Sequence, residues 1–288
     1  MIAVYKKELN AYFSNMTGYI AIGMILAMTG VFVKILSLDG HYPNMAAALP
    51  TAAIILLLAV PIVTMRSFAE ERRQRTDLLL YTLPISTTQI VMGKYLAMMT
   101  VFAVPVGVMG LYPLILSLYG TVNFAASYAS LLLFLFMIAA MTAVCMFTSS
   151  LTESQVIAAV LGSGVLILCY FAQLLAGALP TTAIASLLAF TALIALAALA
   201  VYYFVKSFWV AFCAGVVLEA GVVLAYLFRE SLFAGLFQKA VSVVALFDIF
   251  NAAVNSQLFD LTAVVYYLSI AVFFTFLTVQ TVEKRRYA

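Results

Sequence analysis

The chain has 288 residues, 66% of them hydrophobic and only 9% charged, with a net charge of +3 and a mean hydropathy of +1.16. A water-soluble domain of this length must cover itself with polar side chains, so this composition excludes one and implies an all-α, polytopic helical membrane protein. No basic stripe is present for nucleic acid, and Cys145, Cys169 and Cys213 lie inside apolar runs, as packing residues rather than a disulfide framework or a metal site.

Residues 1–16, MIAVYKKELNAYFSNM, are too polar to span. Ile2, Tyr5, Leu9, Tyr12, Phe13 and Met16 recur at helical spacing, while Lys6, Lys7, Asn10 and Ser14 fall on the other side. This pattern predicts an interfacial helix with its apolar face down and its lysines near anionic lipid headgroups. No cleavable leader is expected, because this polar segment precedes a first apolar run long enough to cross. Apolar runs follow at 17–38, 46–65, 92–118, 127–148, 156–178, 182–205, 208–227 and 261–282. They predict about eight transmembrane helices, equally readable as six spans plus an inserted hairpin at 182–227.

Lys and Arg set the orientation. With the N-terminus inside, inner segments hold Lys6, Lys7, Arg66, Arg72, Arg73, Arg75, Lys94, Lys206, Lys284, Arg285 and Arg286; outer ones hold only Lys34, Arg229 and Lys239. This positive-inside bias places both termini in the cytoplasm and favours an even span count. Lys239 and Asp248 cut the apolar stretch at 228–260 into pieces too short to cross. Two short outer helices, or a plain external loop with amphipathic helices, are expected there.

Charge concentrates between the second and third spans. Arg66, Glu70, Glu71, Arg72, Arg73, Arg75 and Asp77 lie within 12 positions. Residues 66–83 can carry the second span into the cytosol as a helix stiffened by Glu71–Arg75, Arg73–Asp77 and Glu70–Arg73 pairs. Leu78, Leu79, Leu80 and Leu83 crowd its end, Pro84 stops it, and Ser86 with Gln89 forms a capping box for the next helix. The result would be a stiff cytoplasmic hairpin with leucines near its tip. It is either a solvated loop or a docking element for a cytosolic partner, and the chain has no soluble domain of its own to bury those leucines.

With Glu70-Glu71-Arg72, Thr76-Asp77, Leu79-Leu80, Pro84-Ile85-Ser86 and Gly93-Lys94, the stretch resembles the first cytoplasmic loop of the type-2, exporter-class permeases of ATP-binding cassette (ABC) transporters. YKKELNAYFSNMTGYI is similar to that family's N-terminal elbow helix, and SSLTESQVIAAV to its second inner loop and following span. FDLTAVVYYLSIAVFFTFLTVQTVEKRR looks like the last span and basic tail of its gliding-motility and copper-enzyme-maturation branch. The family often has Gly-Thr-Leu-Glu where this chain has Arg75-Thr76-Asp77-Leu78, and its six-span core does not account for the hairpin at 182–227.

The resemblance implies a single transmembrane permease domain over 1–288 with an elbow helix at 1–16 and a coupling loop at 66–91; the extra hairpin at 182–227 and the outer short helices at 228–260 rest on the apolar pattern alone. It implies two permease subunits, identical or not, and two separate ATPase subunits that bind the ATP and Mg. Glu70, Glu71, Arg72, Arg73, Thr76, Asp77, Leu80 and Pro84 would serve ATPase coupling, with Glu70 and Glu71 holding the loop's helix against the elbow helix and the ATPase. Glu153 in the second inner loop would be a minor contact. The chain itself carries no G-x-x-x-x-G-K-[ST] phosphate loop, so hydrolysis falls to the partner. Gly93-Lys94 reads instead as a helix-start glycine and an interfacial lysine.

Few polar groups lie within the apolar runs. Glu219, mid-run, either lines a substrate route or relays a proton, or bonds a Tyr or Ser within the hairpin. Lys34 can snorkel outward. Pro105 and Pro113, with Gly107 and Gly110, should kink the third span. Ala158, Gly162, Ala159 and Ser163 give the fifth span a small-residue face, either for a dimer seam or for a neighbour within the bundle.

An intramembrane enzyme is disfavoured: the lone histidine, His41, sits in an outer loop, and no histidine at depth could activate Ser163. A membrane scaffold or receptor whose cytoplasmic hairpin binds a partner without transport is the alternative function. An ion-coupled secondary transporter has too few buried charges here and no inverted repeat.

Overall fold

The computed structural model describes residues 1–40, 45–76, 85–178, 182–184, 186–192, 194–195, 216, 218–220, 235–256 and 259–286. Two units are distinguished: Met1–Leu168 with Phe247–Ala288, and Cys169–Leu246. His41, Asp77, Leu80 and Pro84 lie outside the described residues, as does most of 182–227.

In the first unit, α1 (Ile2–Ser14) precedes α2 (Thr17–Phe32), which runs on into a π-helical turn at Val33–Leu38. The second span is built from α3 (Met45–Ala52), a 3₁₀ turn at Ala53–Ile55, α4 (Leu56–Thr64) and α5 (Arg66–Arg73). The third is α6 (Thr87–Met109) followed by α7 (Tyr112–Leu116). Its break falls at Gly110 and Leu111, because Pro113 has no amide to offer the carbonyl of Met109 four residues earlier. Next come α8 (Phe124–Leu151) and α9 (Gln155–Ala178), the latter running past the unit's boundary. In the second unit α10 (Leu236–Val243) starts after Gly235, whose φ of 71° is left-handed. Helix α11 (Leu246–Asn255) and the last helix, α12 (Leu261–Arg286), bring the chain back to the first unit.

Six helical stretches among the described residues are long and apolar enough to cross a membrane: Thr17–Leu38, Ala48–Arg73, Thr87–Leu116, Phe124–Leu151, Gln155–Ala172 and Leu261–Arg286. A seventh arises if α10 and α11 form one broken span. Helices satisfy their own backbone groups, the condition for crossing a medium without water. The protein is thus an all-α, multi-pass membrane protein. Two further spans expected at 182–205 and 208–227 fall mostly outside the described residues.

Helix α8 is the axis of the first unit. Every residue from Met137 to Met146 is buried, as expected of a helix apolar on all sides with neighbours all round. Helix α12 packs along it, and α4, α5 and α6 also touch it. Gly162 on α9 faces it as well: a Cβ there would stand 3.2 Å from Thr148 Oγ1 and 3.3 Å from Cys145 Sγ. At Gly162, therefore, the small-residue face of the fifth span meets a neighbour within the bundle.

Candidate functional site

The charged stretch winds differently from the sequence expectation. Helix α5 ends at Arg73 rather than near residue 83. Arg75 takes a left-handed φ of 55°. The Arg75 amide donates to the Arg72 carbonyl at 3.0 Å and the Thr76 amide to that of Glu71 at 2.9 Å. These two bonds and a left-handed residue make the Schellman stop, whose usual occupant is glycine. The turn is kept although Arg75 carries a Cβ that strains the backbone there.

Two of the expected pairs along the helix are also replaced, while the third, Arg73–Asp77, includes a residue outside the described ones. Glu70 binds Arg66, not Arg73: its Oε2 accepts from Arg66 Nε at 2.7 Å and its Oε1 from Nη2 at 3.1 Å. Glu71 turns away from Arg75 and bridges two lysines, with Oε1 3.1 Å from Lys7 Nζ on α1 and Oε2 3.0 Å from Lys94 Nζ on α6. The physical reason is burial. An exposed i,i+4 pair contributes a few tenths of a kcal/mol, whereas a carboxylate drawn under α1 must find cations there.

Lys94 is the centre of this cluster. Its side chain is 1% exposed. The ammonium donates to Glu8 Oε1 at 2.9 Å and to the Ser67 carbonyl at 2.7 Å, as well as meeting Glu71. Three donors find three acceptors. The Phe68 ring lies 5.2 Å away, within cation–π reach. Lys94 ties α1, α5 and α6 together in a group whose two lysines balance two glutamates. Gly93 makes the approach possible, since a Cβ there would sit 3.1 Å from Val4 Cβ and 3.2 Å from the Met1 carbonyl oxygen.

A second set of contacts surrounds the break between α4 and α5 at Met65. The Tyr12 hydroxyl donates to the Val63 carbonyl at 3.1 Å, and burial holds that phenol far above its usual range, keeping it a donor. Ser149 of α8, fully buried, accepts from the amides of Phe68 and Ala69 at 3.3 Å each and donates to the Met65 carbonyl at 3.2 Å.

The other nominated residues are dispersed. Arg72 is buried, Arg73 and Thr76 are exposed, and the Thr76 hydroxyl donates to the Glu71 carbonyl at 3.3 Å. Glu153 is exposed, 3.9 Å from Arg285 of α12. Arg285 also donates to the Leu151 carbonyl at 3.4 Å, and Arg286 to that of Ile85 at 3.2 Å. Glu219 is an exposed residue of the second unit. Sequence reasoning did not single out Glu8, Ser149, Arg285 or Arg286 as site residues. The one available signal was Gly93-Lys94, a small residue and a cation side by side where a helix enters the membrane. Among the described residues, no group of His, Cys, Asp and Glu is placed to hold a metal.

Residues 33–196 match the family described as "ABC-2 family transporter protein". No curated protein and no solved structure matches the chain.

Proposed function

Because the chain belongs to the ABC-2 transporter family, carrying its membrane permease domain, we propose that it is the transmembrane subunit of an ABC exporter, driven by separate ATPase subunits. The loop at 66–91 is the coupling element and faces the cytoplasm with both termini, in line with the distribution of Lys and Arg. The hairpin at 182–227 completes eight spans. Helix α1 is the elbow, and the last span with its basic tail allies the chain with the gliding-motility and copper-enzyme-maturation branch. Two such permeases, identical or not, enclose the substrate route.

One observation carries this reading. The Lys94 cluster fastens α5 to α1 and α6, so the charged helix is a rod seated in the bundle rather than a free loop. A force applied to its exposed end at Arg73 and Thr76 would reach three helices. Glu71 is the inner anchor of the rod and Glu70, with Arg66, stiffens its flank.

The test is purification of the chain from native membranes. An ABC ATPase should co-purify in stoichiometric amount, and Glu71→Ala should weaken that association or uncouple ATP hydrolysis from transport at least ten-fold. Glu70→Ala should act in the same direction but less. Absence of any ATPase, or normal coupling in both variants, would overturn the assignment.

A further inference from the structure

Ser149 holds an unusual position. Helices ordinarily satisfy their first amides with a residue of the same chain segment just ahead of them. Helix α5 has no such cap: Met65 has helical φ and ψ and no side-chain acceptor. Its third and fourth amides, Phe68 and Ala69, instead reach a hydroxyl some 80 residues away on α8. The same hydroxyl spends its proton on the carbonyl of Met65, the residue at the break. One atom thus closes both sides of the junction.

The groups around this junction are taken up by side chains of different helices. Tyr12 of α1 holds Val63, Lys94 of α6 holds Ser67, and Ser149 of α8 holds Met65, Phe68 and Ala69. A helix whose backbone ladder is interrupted bends at the interruption. Bonds on the far side of the break move with α5. Phe68 and Ala69 are buried, so their amides have no water to fall back on.

We propose that Ser149 is the positioning residue that makes α5 and the inner end of α8 one rigid body, hinged on α4 at Met65. Resting on the exporter reading above, the consequence is directional. A tilt imposed on α5 passes sideways into α8, the buried axis of the bundle, rather than straight up the second span. The second inner loop, which begins one residue beyond Leu151, is carried with it. Ser149 touches no substrate and acts only through the backbone it holds.

The experiment uses the full-length chain, with its co-purified ATPase, in a background lacking native cysteines. Spin labels at Arg73→Cys and Thr152→Cys report the α5–α8 distance by double electron–electron resonance. The distribution should be narrow and the same without nucleotide and with trapped ATP. Ser149→Ala should broaden it at least two-fold, and Ser149→Thr, which keeps the hydroxyl, should restore it. Hydrogen exchange at Phe68 and Ala69 should be about ten-fold faster in Ser149→Ala alone. A broad wild-type distribution, a wild-type distance that shifts with nucleotide, or a Ser149→Ala distribution as narrow as wild type would each overturn the joint. If no ATPase co-purifies with the unlabelled wild-type chain, the exporter reading fails, and the nucleotide-free comparison still decides the joint.

Discussion

At the scale of single residues, the buried lysine separates this protein from a simple amphipathic loop. Removing one partner from a buried ion group leaves the others without counter-charge, a cost of about 3–5 kcal/mol. Lys94→Met leaves Glu8 and Glu71 with only the exposed Lys7 as counter-charge and should lower the thermal unfolding midpoint in detergent more than any other single change in the cluster. Exposed Glu153, 3.9 Å from Arg285, is the control. Its removal should change stability by under about 1 kcal/mol, and any effect should vanish at high salt, whereas that of Lys94→Met should not. The resemblance led to the expectation that Glu71 holds this helix against α1, but the lysines it meets were not legible beforehand. Pairing rules read charges three and four residues apart, and so matched Glu71 with Arg75. Its actual partners are 64 and 23 positions away, brought close by folding, and only Gly93 beside Lys94 hinted at a close helix approach there.

At the scale of elements, the helices themselves were plain in the apolar runs, and the start of α6 was readable to the residue. Ser86 caps it, accepting from the Gln89 amide at 3.3 Å, because that signal is local. The end of α5 was not readable, because Arg75 is a poor sign of a stop. A non-glycine residue in left-handed geometry costs roughly 1 kcal/mol, so Arg75→Gly should stabilise the protein by about that amount while leaving the Thr76 amide protected from hydrogen exchange. A loss of stability would show instead that the arginine side chain makes a contact outweighing its backbone strain. The turn is kept by two backbone bonds, although an exposed arginine stands at the position that glycine fits best.

At the scale of the whole molecule, composition sufficed to establish a membrane protein with many crossings, since hydropathy sums over long runs and tolerates local error. What it could not reveal is how the charged ends of distant helices meet. Arg286, on the last helix, donates to Ile85, 201 positions earlier, just ahead of the third span. Arg285 reaches Leu151, where α8 ends and unpaired carbonyls favour a cation. The basic tail therefore touches the start of one span and the end of another. Arg286→Ala should raise hydrogen exchange across residues 85–90 by a few-fold, in keeping with about 1 kcal/mol for one charged bond, and leave residues 66–73 unaffected. Equal loosening of both stretches would mean that the tail supports the bundle generally rather than one junction.

The ammonium at position 94 also constrains the timing of biogenesis. Glu8 leaves the ribosome long before its counter-ion, which follows 86 residues later. The opening segment must therefore wait at the surface, its carboxylate still hydrated, until the third crossing emerges and draws it in. Nascent chains stalled with residue 90 just exposed should leave that segment open to protease, and those stalled beyond residue 120 should shield it.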